Sequence, residues 1–338
     1  MSLWNELLAP KAQSLNTTQL AVGFVAPILD QGLIALDGEE SAHFLHGQLT
    51  NDVEHLAHDE ARLAGYCSPK GRLLASFLMW RSDNTLLLQL PREIQPAVQK
   101  RLSMFVLRAK TKLSDASELP AHQVSIGLGG GLAEAVLQNW FEPLPARPYG
   151  KLSHPLGTLI RVADAFGAPR YQWLMSAEVA RTVLPELAER LAVGDAASWQ
   201  LSAIHAGVPQ ISKATQEQFV PQMINFELLG GVSFKKGCYP GQEIVARSQY
   251  LGKLKRRTTL VTIQDEAAVA GAEVFATADP EQPCGMIVNT APNGRGGIDA
   301  LVEMKLAAIE AASVRLGSAS GTPLEFHSMP YVLDALDV

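Results

Sequence analysis

The reading starts from Phe234-Lys235-Lys236-Gly237-Cys238-Tyr239-Pro240-Gly241-Gln242-Glu243, where more chemically capable side chains gather than in any other stretch of this length. Gly237 and the Pro240-Gly241 pair mark a tight turn, because proline fixes φ and glycine reaches conformations closed to other residues. The run Gln242-Glu243-Ile244-Val245-Ala246-Arg247 then opens a helix, with an early Glu in its first turn. Cys238 would lie close to that helix N-terminus and two residues from Lys236. Both features favour thiolate over thiol, so a depressed Cys238 pKa and a functional thiol are expected. Tyr239 adds an aromatic face, and Gln242, Glu243 and Arg247 add polar groups. A lone cysteine is more often a small buried hydrophobe, but this company of ionisable and polar groups favours a site.

Lys236 to Glu243 resembles the Lys-Gly-Cys-[Tyr/Phe]-x-Gly-Gln-Glu signature of the YgfZ family. These are folate-binding proteins of iron–sulfur protein maintenance, related to the aminomethyltransferase (T protein) of glycine cleavage. The resemblance runs upstream through Gln218-Phe219-Val220-Pro221-Gln222, Asn225 and Gly230-Gly231. It returns near the start in Gly47-Gln48-Leu49-Thr50-Asn51-Asp52-Val53 and Ser68-Pro69-Lys70-Gly71-Arg72. It implies an α+β, aminomethyltransferase-like fold: two α+β domains enclosing a ring-like cavity, and a C-terminal antiparallel β-barrel. The implied division is 1–53 with 151–248 as a discontinuous folate-binding domain, 54–150 as a second domain, and 249–338 as the barrel. The signature loop would stand at the cavity rim with Cys238 facing outward.

The same resemblance implies tetrahydrofolate, or a derivative, in the cavity. Trp199 would stack on the pteridine, a use its flat polarizable ring suits, although a tryptophan is also a common core residue. Gln48, Asp52, Gln222, Asn225, Tyr239, Gln242, Glu243 and Arg247 complete the implied folate site. For Gln48, Thr50 and Asp52 the residues alone leave capping and turn chemistry equally open. Cys238 would be the functional thiol, activated by Lys236, in the assembly or repair of iron–sulfur enzymes, including radical enzymes that thiolate tRNA. The implied partners are folate and iron–sulfur proteins or their assembly factors.

Departures from the aminomethyltransferase pattern bear on activity. That enzyme carries paired aspartates after its Gly-Gly turn; Gly71-Arg72-Leu73-Leu74-Ala75-Ser76 has no carboxylate. Its folate-gripping glutamate corresponds to His205, and a second family tryptophan to Gln31. Without those acids, aminomethyl transfer cannot proceed in the same way. A folate-dependent one-carbon transferase using another acid, and a plain folate-binding module with a structural Cys238, stay open as alternatives. Whether the protein is an enzyme is left open as well.

At 338 residues the chain is long enough for two or three domains and a well-buried core. A hydrophobic share of 47% excludes general disorder. The net charge of −6 argues against direct nucleic-acid binding over a broad surface. Three widely spaced cysteines, Cys67, Cys238 and Cys284, supply neither a disulfide framework nor a complete metal ligand set. No leader-like start and no long apolar run appear, so a cytoplasmic protein with no membrane contact is expected.

Periodicity predicts a short amphipathic helix over 3–15, a strand over 32–38, and a helix over 40–49 with Phe44, Leu45 and Leu49 on one face. Strands follow over 62–67, 73–81 and 85–90, then a helix over 91–105 and a strand over 106–113. Arg101, Arg108, Lys110 and Lys112 form a basic cluster, read as a solvated face or a contact for an anionic ligand or RNA. Gly127-Leu128-Gly129-Gly130-Gly131 lacks the spacing and context of a dinucleotide fingerprint and reads as a loop or strand edge; no P-loop is present. Pro143, Pro145 and Pro148 suggest a boundary near 150. Strands over 157–163 and 171–176, a helix over 178–191 and another ending at His205 come next. Short strands over 258–263, 273–276, 284–289 and 297–302 have the pattern of a small antiparallel barrel. The basic run Lys253, Lys255, Arg256 and Arg257 sits at the junction and reads as a hinge or an anion contact.

Overall fold

The computed structural model describes residues 3–251 and 254–333; of the junction's basic run, Lys253 lies outside the described residues. The element that explains the layout is the strand Ala168–Met175. Successive side chains on a strand point to opposite faces. Tyr171, Trp173 and Met175 therefore enter an apolar core with Ala180, Val183, Leu184 and Leu187 of the helix Ala177–Arg190. Arg170 and Gln172 point the other way. The neighbouring strand Val124–Gly129 repeats the pattern, with Ile126 and Leu128 in the core and Ser125, Gly127 and Gly129 opposite.

These strands are the centre of a six-stranded sheet ordered Ala192–Val193, Phe24–Pro27, Val124–Gly129, Ala168–Met175, Gly157–Ala165, Lys151–His154. Its pairings are antiparallel except that between Phe24–Pro27 and Ala192–Val193. A second, antiparallel sheet runs Ala61–Cys67, Leu73–Ser82, Thr85–Pro91, Gln31–Asp37, Lys112–Asp115. One face buries Phe44 and Leu45 of the helix Ser41–His46 and Val98 and Leu102 of the helix Gln95–Ser103. The other meets the first sheet through Leu33, Trp80, Leu87, Ile160, Val162 and Leu174. A cavity opens where these facing layers turn polar.

The third sheet is antiparallel, ordered Val314–Leu316, Glu273–Ala276, Gly285–Pro292, Ile298–Lys305, Arg256–Ile263, Leu324–His327. It curls into a barrel-like shape, with an isolated bridge between Arg315 and Pro323 beside its two edge strands. Several contacts fix it to the rest, three of them as follows. His205 at the end of the helix Ala196–His205 pairs with Asp299 at 2.6 Å. The Asn225 amide donates to the Thr258 carbonyl at 2.8 Å. Arg257 forms an ion pair with Glu227, both essentially out of solvent.

Several expectations are corrected. Gln31–Asp37 belongs to the second sheet and Val124–Gly129 to the first, so the chain passes between the two sheets near 30 and 118–123. Gly127 lies in a central strand, not a loop or edge. The first helix stops at Leu7, and Pro10 sits in a separate 3-10 turn, since it has no N–H to continue an α-helix. The helix expected from 91 starts at Gln95, with Pro96 in its first turn, while Pro91 ends a strand. Leu107 turns at φ 46, leaving only Lys112–Asp115 as strand. Arg101, Arg108, Lys110 and Lys112 are all exposed.

Candidate functional site

The polar faces of the first two sheets enclose a cavity of about 510 Å³. Leu63, Ser76, Leu78 and Gln89 come from the second sheet, Val162, Arg170 and Gln172 from the first. Trp199, Gln200 and Ala203 come from the helix Ala196–His205, and Gln210 and Asn289 close it near the barrel. Most of this polarity is paired within the wall. Gln172 donates to Gln89 at 2.9 Å, Gln31 and Gln210 exchange amide hydrogen bonds at 3.1 Å, and Gln200 donates to Asp30 at 2.8 Å. Asn289 and Gln210 are tied at 2.8 and 3.0 Å.

Trp199 stands in this wall as expected, but its ring is already engaged. The Arg170 guanidinium lies 4.2 Å from the ring centroid. Gly127 lets the indole press on the sheet: a Cβ there would come within 2.0 Å of Cε3. One face of the Trp199 ring is thus covered by a cation of the protein. Gln31 also lines the cavity, whereas His205 is outside its lining and holds the barrel instead. Burial alone would raise the Asp299 carboxyl, but hydrogen bonds from His205, Thr262 and Asn293 outweigh it and hold it below its usual value.

The Cys238 loop is a separate place. Lys236, Cys238, Tyr239, Gln242, Glu243, Arg247, Gln222, Asn225, Gln48 and Asp52 are all absent from the cavity lining. The loop packs against the turn 68–71 through two glycines. Gly241, at φ 80, caps the helix Gln242–Tyr250, and a Cβ on it would fall 2.4 Å from the Ser68 carbonyl oxygen and 2.6 Å from Gly71 Cα. Gly71, at φ 70, leaves no room for a Cβ beside Ile244. Only glycine satisfies both constraints. The two sequence blocks, 68–72 and 236–243, are therefore one physical contact.

Lys236 reaches across to the end of the helix Ser41–His46, donating to the His46 carbonyl and, at 3.0 Å, to that of Leu49. Its ammonium also lies 4.8 Å from the Tyr239 ring centroid. Burial pushes Lys236 down to about 8, against the upward pull of Asp52, Cys238 and Glu54. Tyr239 is buried under the loop and its pKa is pushed up by desolvation. Cys238 alone is presented outward and is exposed, while Cys67 and Cys284 are buried.

Beside the loop, His46 Nδ1 lies 3.2 Å from Asp52 and His55 Nδ1 2.8 Å from the same carboxylate. Burial would raise Asp52, but the His55 backbone and ring and the His46 charge outweigh it and lower its pKa. Asp52 thus faces the loop. Gln48, Thr50 and Asn51 lie on the same connection. Thr50 Oγ1 donates to Gly231 at 2.6 Å, and the Asn51 amide donates to Leu63 and Gly230 at 2.7 Å. Gln222, fully buried, donates to the Val245 carbonyl at 2.8 Å and holds the helix Gln242–Tyr250. Gln242 is half-buried; Glu243 and Arg247 are exposed on that helix. Among the described residues no group of three or more His, Cys, Asp or Glu is arranged to hold a metal.

Arg170, Gln172, Gln89 and Tyr149 are cavity residues that the motif reading missed. The signal was alternation: Arg170 and Gln172 share one face of an otherwise apolar strand, a placement that costs stability unless the face meets something polar.

No family model matches the chain. Curated relatives do. A tRNA-modifying protein YgfZ of Pectobacterium carotovorum is 31% identical over 256 residues, 75% of either chain. One from Escherichia fergusonii is 30% identical over 232 residues, 69% of either chain. Among solved structures, the glycine cleavage system aminomethyltransferase T of Bartonella henselae superposes with a TM-score of 0.72 at 17% identity, over 93% of this chain and 87% of that one. The fold is thus aminomethyltransferase-like, as the resemblance implied. Identity at this level over about three quarters of both chains means that this protein belongs to the YgfZ family.

Proposed function

We propose that the protein binds tetrahydrofolate, or a derivative, in the cavity and supports the assembly or repair of iron–sulfur enzymes, among them enzymes that modify tRNA, through Cys238. The observation that carries this reading is the construction of the loop. Lys236, Tyr239, Gly241 and Gln222 are all committed to holding it against the body, and the one nucleophilic side chain left is aimed at solvent. A thiol so presented suits an exchange with a partner protein, and a single thiolate needs further ligands from that partner to hold iron. The volume and the mixed aromatic and amide wall of the cavity suit a polar heteroaromatic ligand such as a pterin. The names of the relatives favour a role in tRNA modification, and the T-protein fold favours folate. Among the described residues no helix is long and apolar enough to cross a membrane, and we place this function in the cytoplasm.

A one-carbon transferase is less well supported, because the segment 71–76 contributes Ser76 and no acid to the cavity. The test is complementation in a bacterium lacking its own YgfZ-family protein, read as thiolated nucleosides in bulk tRNA. Wild type should restore thiolation and Cys238→Ala should not. Full restoration by Cys238→Ala would contradict the proposal.

A further inference from the structure

The helix Gln242–Tyr250 leaves an apolar face uncovered. Val245 on its inner side is fully buried, and Gln222 donates to the Val245 carbonyl. At the helical repeat, Glu243, Ile244, Arg247, Tyr250 and Leu251 share roughly a third of the circumference on the opposite side. Of these, Ile244 is 38%, Tyr250 68% and Leu251 81% exposed. A surface helix turns polar groups outward, and a single exposed apolar side chain needs no explanation. Three on one arc are a patch, and this one begins where the Cys238 loop ends. Phe234, half-buried at the start of the loop, extends it by packing edge-on against Tyr250 at 5.7 Å.

The border of the patch is positive. Lys70 and Arg72 flank Gly71, which lies against Ile244; Lys235 follows Phe234, and Arg247 stands on the arc itself. All four are exposed, and none takes part in an ion pair among the described residues. Arg72 donates to the Gln218 carbonyl. Glu243 is the one carboxylate on the arc. The acids beside the loop, Asp52 and Glu54, are engaged with His43, His46 and His55. A chain of net charge −6 therefore carries a local excess of positive charge at this helix.

We infer that this face is the docking surface for the protein that Cys238 serves, and that the partner presents an apolar ridge bordered by aspartate or glutamate. The ridge covers Ile244, Tyr250 and Leu251, while Lys70, Arg72, Lys235 and Arg247 border it and steer the encounter. The nine residues of the helix rise about 13 Å, so a partner seated on the face reaches from the loop to Leu251. Nucleic acid would use the cations and Tyr250, but Ile244 and Leu251 offer it neither a hydrogen bond nor a stacking plane. That a partner comes here rests on the reading of Cys238 as the working thiol; the partner's chemistry rests on the patch.

Two amphipathic helical peptides test it, one of leucine and glutamate and one of leucine and lysine. Each ends in a cysteine carried as its mixed disulfide with thionitrobenzoate. The Cys238 thiolate attacks the peptide sulfur, a peptide–Cys238 disulfide forms, and thionitrobenzoate leaves with the electron pair of the broken S–S bond, so its colour reports the rate. Wild-type full chain should react about tenfold or more faster with the glutamate peptide, and raised salt should remove most of that preference. Lys70→Glu should reduce it as well. Leu251→Ser should slow the glutamate peptide about fivefold or more, yet react at the wild-type rate with the thionitrobenzoate disulfide of mercaptoethanol, which has no surface to dock. Equal rates for the two peptides, or an equal slowing of the mercaptoethanol disulfide, would overturn the docking surface. Binding of tRNA or of phosphatidylglycerol vesicles that Lys70→Glu abolishes, with no preference between the peptides, would give the face to nucleic acid or lipid and overturn it too. A wild-type dimer that Leu251→Ser dissociates would give it to a second copy of the chain, with the same consequence. If the peptides behave as expected while Cys238→Ala restores tRNA thiolation, the docking surface stands and the iron–sulfur reading falls.

Discussion

The cavity wall and the Cys238 loop solve opposite problems. The wall is made of sheet and helix, so its geometry comes without special residues, and its chemistry lies in polar side chains set on inward strand positions, Arg170, Gln172 and Gln89. The loop has little regular structure of its own. It is fixed by a glycine–glycine contact, a buried tyrosine and a lysine spent on two carbonyls, and it offers one thiol. The wall pairs most of its polar groups internally around an open volume, while the loop is braced against the body and leaves Cys238 exposed.

The largest effect should come from Cys238→Ser, which removes support of client enzymes, by tenfold or more in tRNA thiolation, and changes stability by less than about 0.5 kcal/mol, as for an exposed position. Chemical denaturation beside the complementation assay reads both quantities. A large stability loss would mean that the thiol is part of the scaffold.

Next in size is Gly241→Ala, which forces a Cβ against the Ser68 carbonyl at positive φ. It should cost about 2–4 kcal/mol in urea unfolding, and a neutral result would show that the loop is not braced as described. Lys236→Met leaves the His46 and Leu49 carbonyls without their donor and should cost about 1–2 kcal/mol. Its pH signature is sharper. Between about 8 and 10.5 the unfolded chain keeps a proton that folded Lys236 has released, so wild-type stability should rise with pH across that window. Lys236→Met should flatten that rise.

An effect of the same size as that of Lys236→Met concerns the barrel contact. Asp299 is held below its usual pKa of 3.8, so its contribution is present above that pH and is lost as pH falls through the folded value. Asp299→Asn should cost about 1–2 kcal/mol at neutral pH and reduce the acid-side loss of stability. An unchanged acid limb would mean that the His205 contact carries no weight.

The loop was legible in the sequence because its constraints are local: glycine and proline spacing announces a turn, and the residues between them name the chemistry. Strands with clean alternation or apolar runs, such as Thr85–Pro91 and Glu273–Ala276, were legible for the same reason. The cavity was not. Arg170 and Tyr149 are 21 positions apart in the chain, and nothing in either local pattern announces that they share a wall with Gln89. The two sheets also exchange segments, Gln31–Asp37 and Val124–Gly129, through pairings between distant strands that no composition change marks. Gly127 illustrates the limit: a glycine-rich run suggests a loop, but here it exists because an indole lies on the strand.

No residue of the Cys238 loop lines the cavity, so the thiol and a cavity ligand should act independently. The direct measurement is the affinity of tetrahydrofolate for Cys238→Ser compared with wild type, by calorimetry at neutral pH. The account predicts equal affinities within about twofold, since no loop residue lines the cavity. A loss of tenfold or more would contradict it, because the thiol would then have to reach the bound ligand.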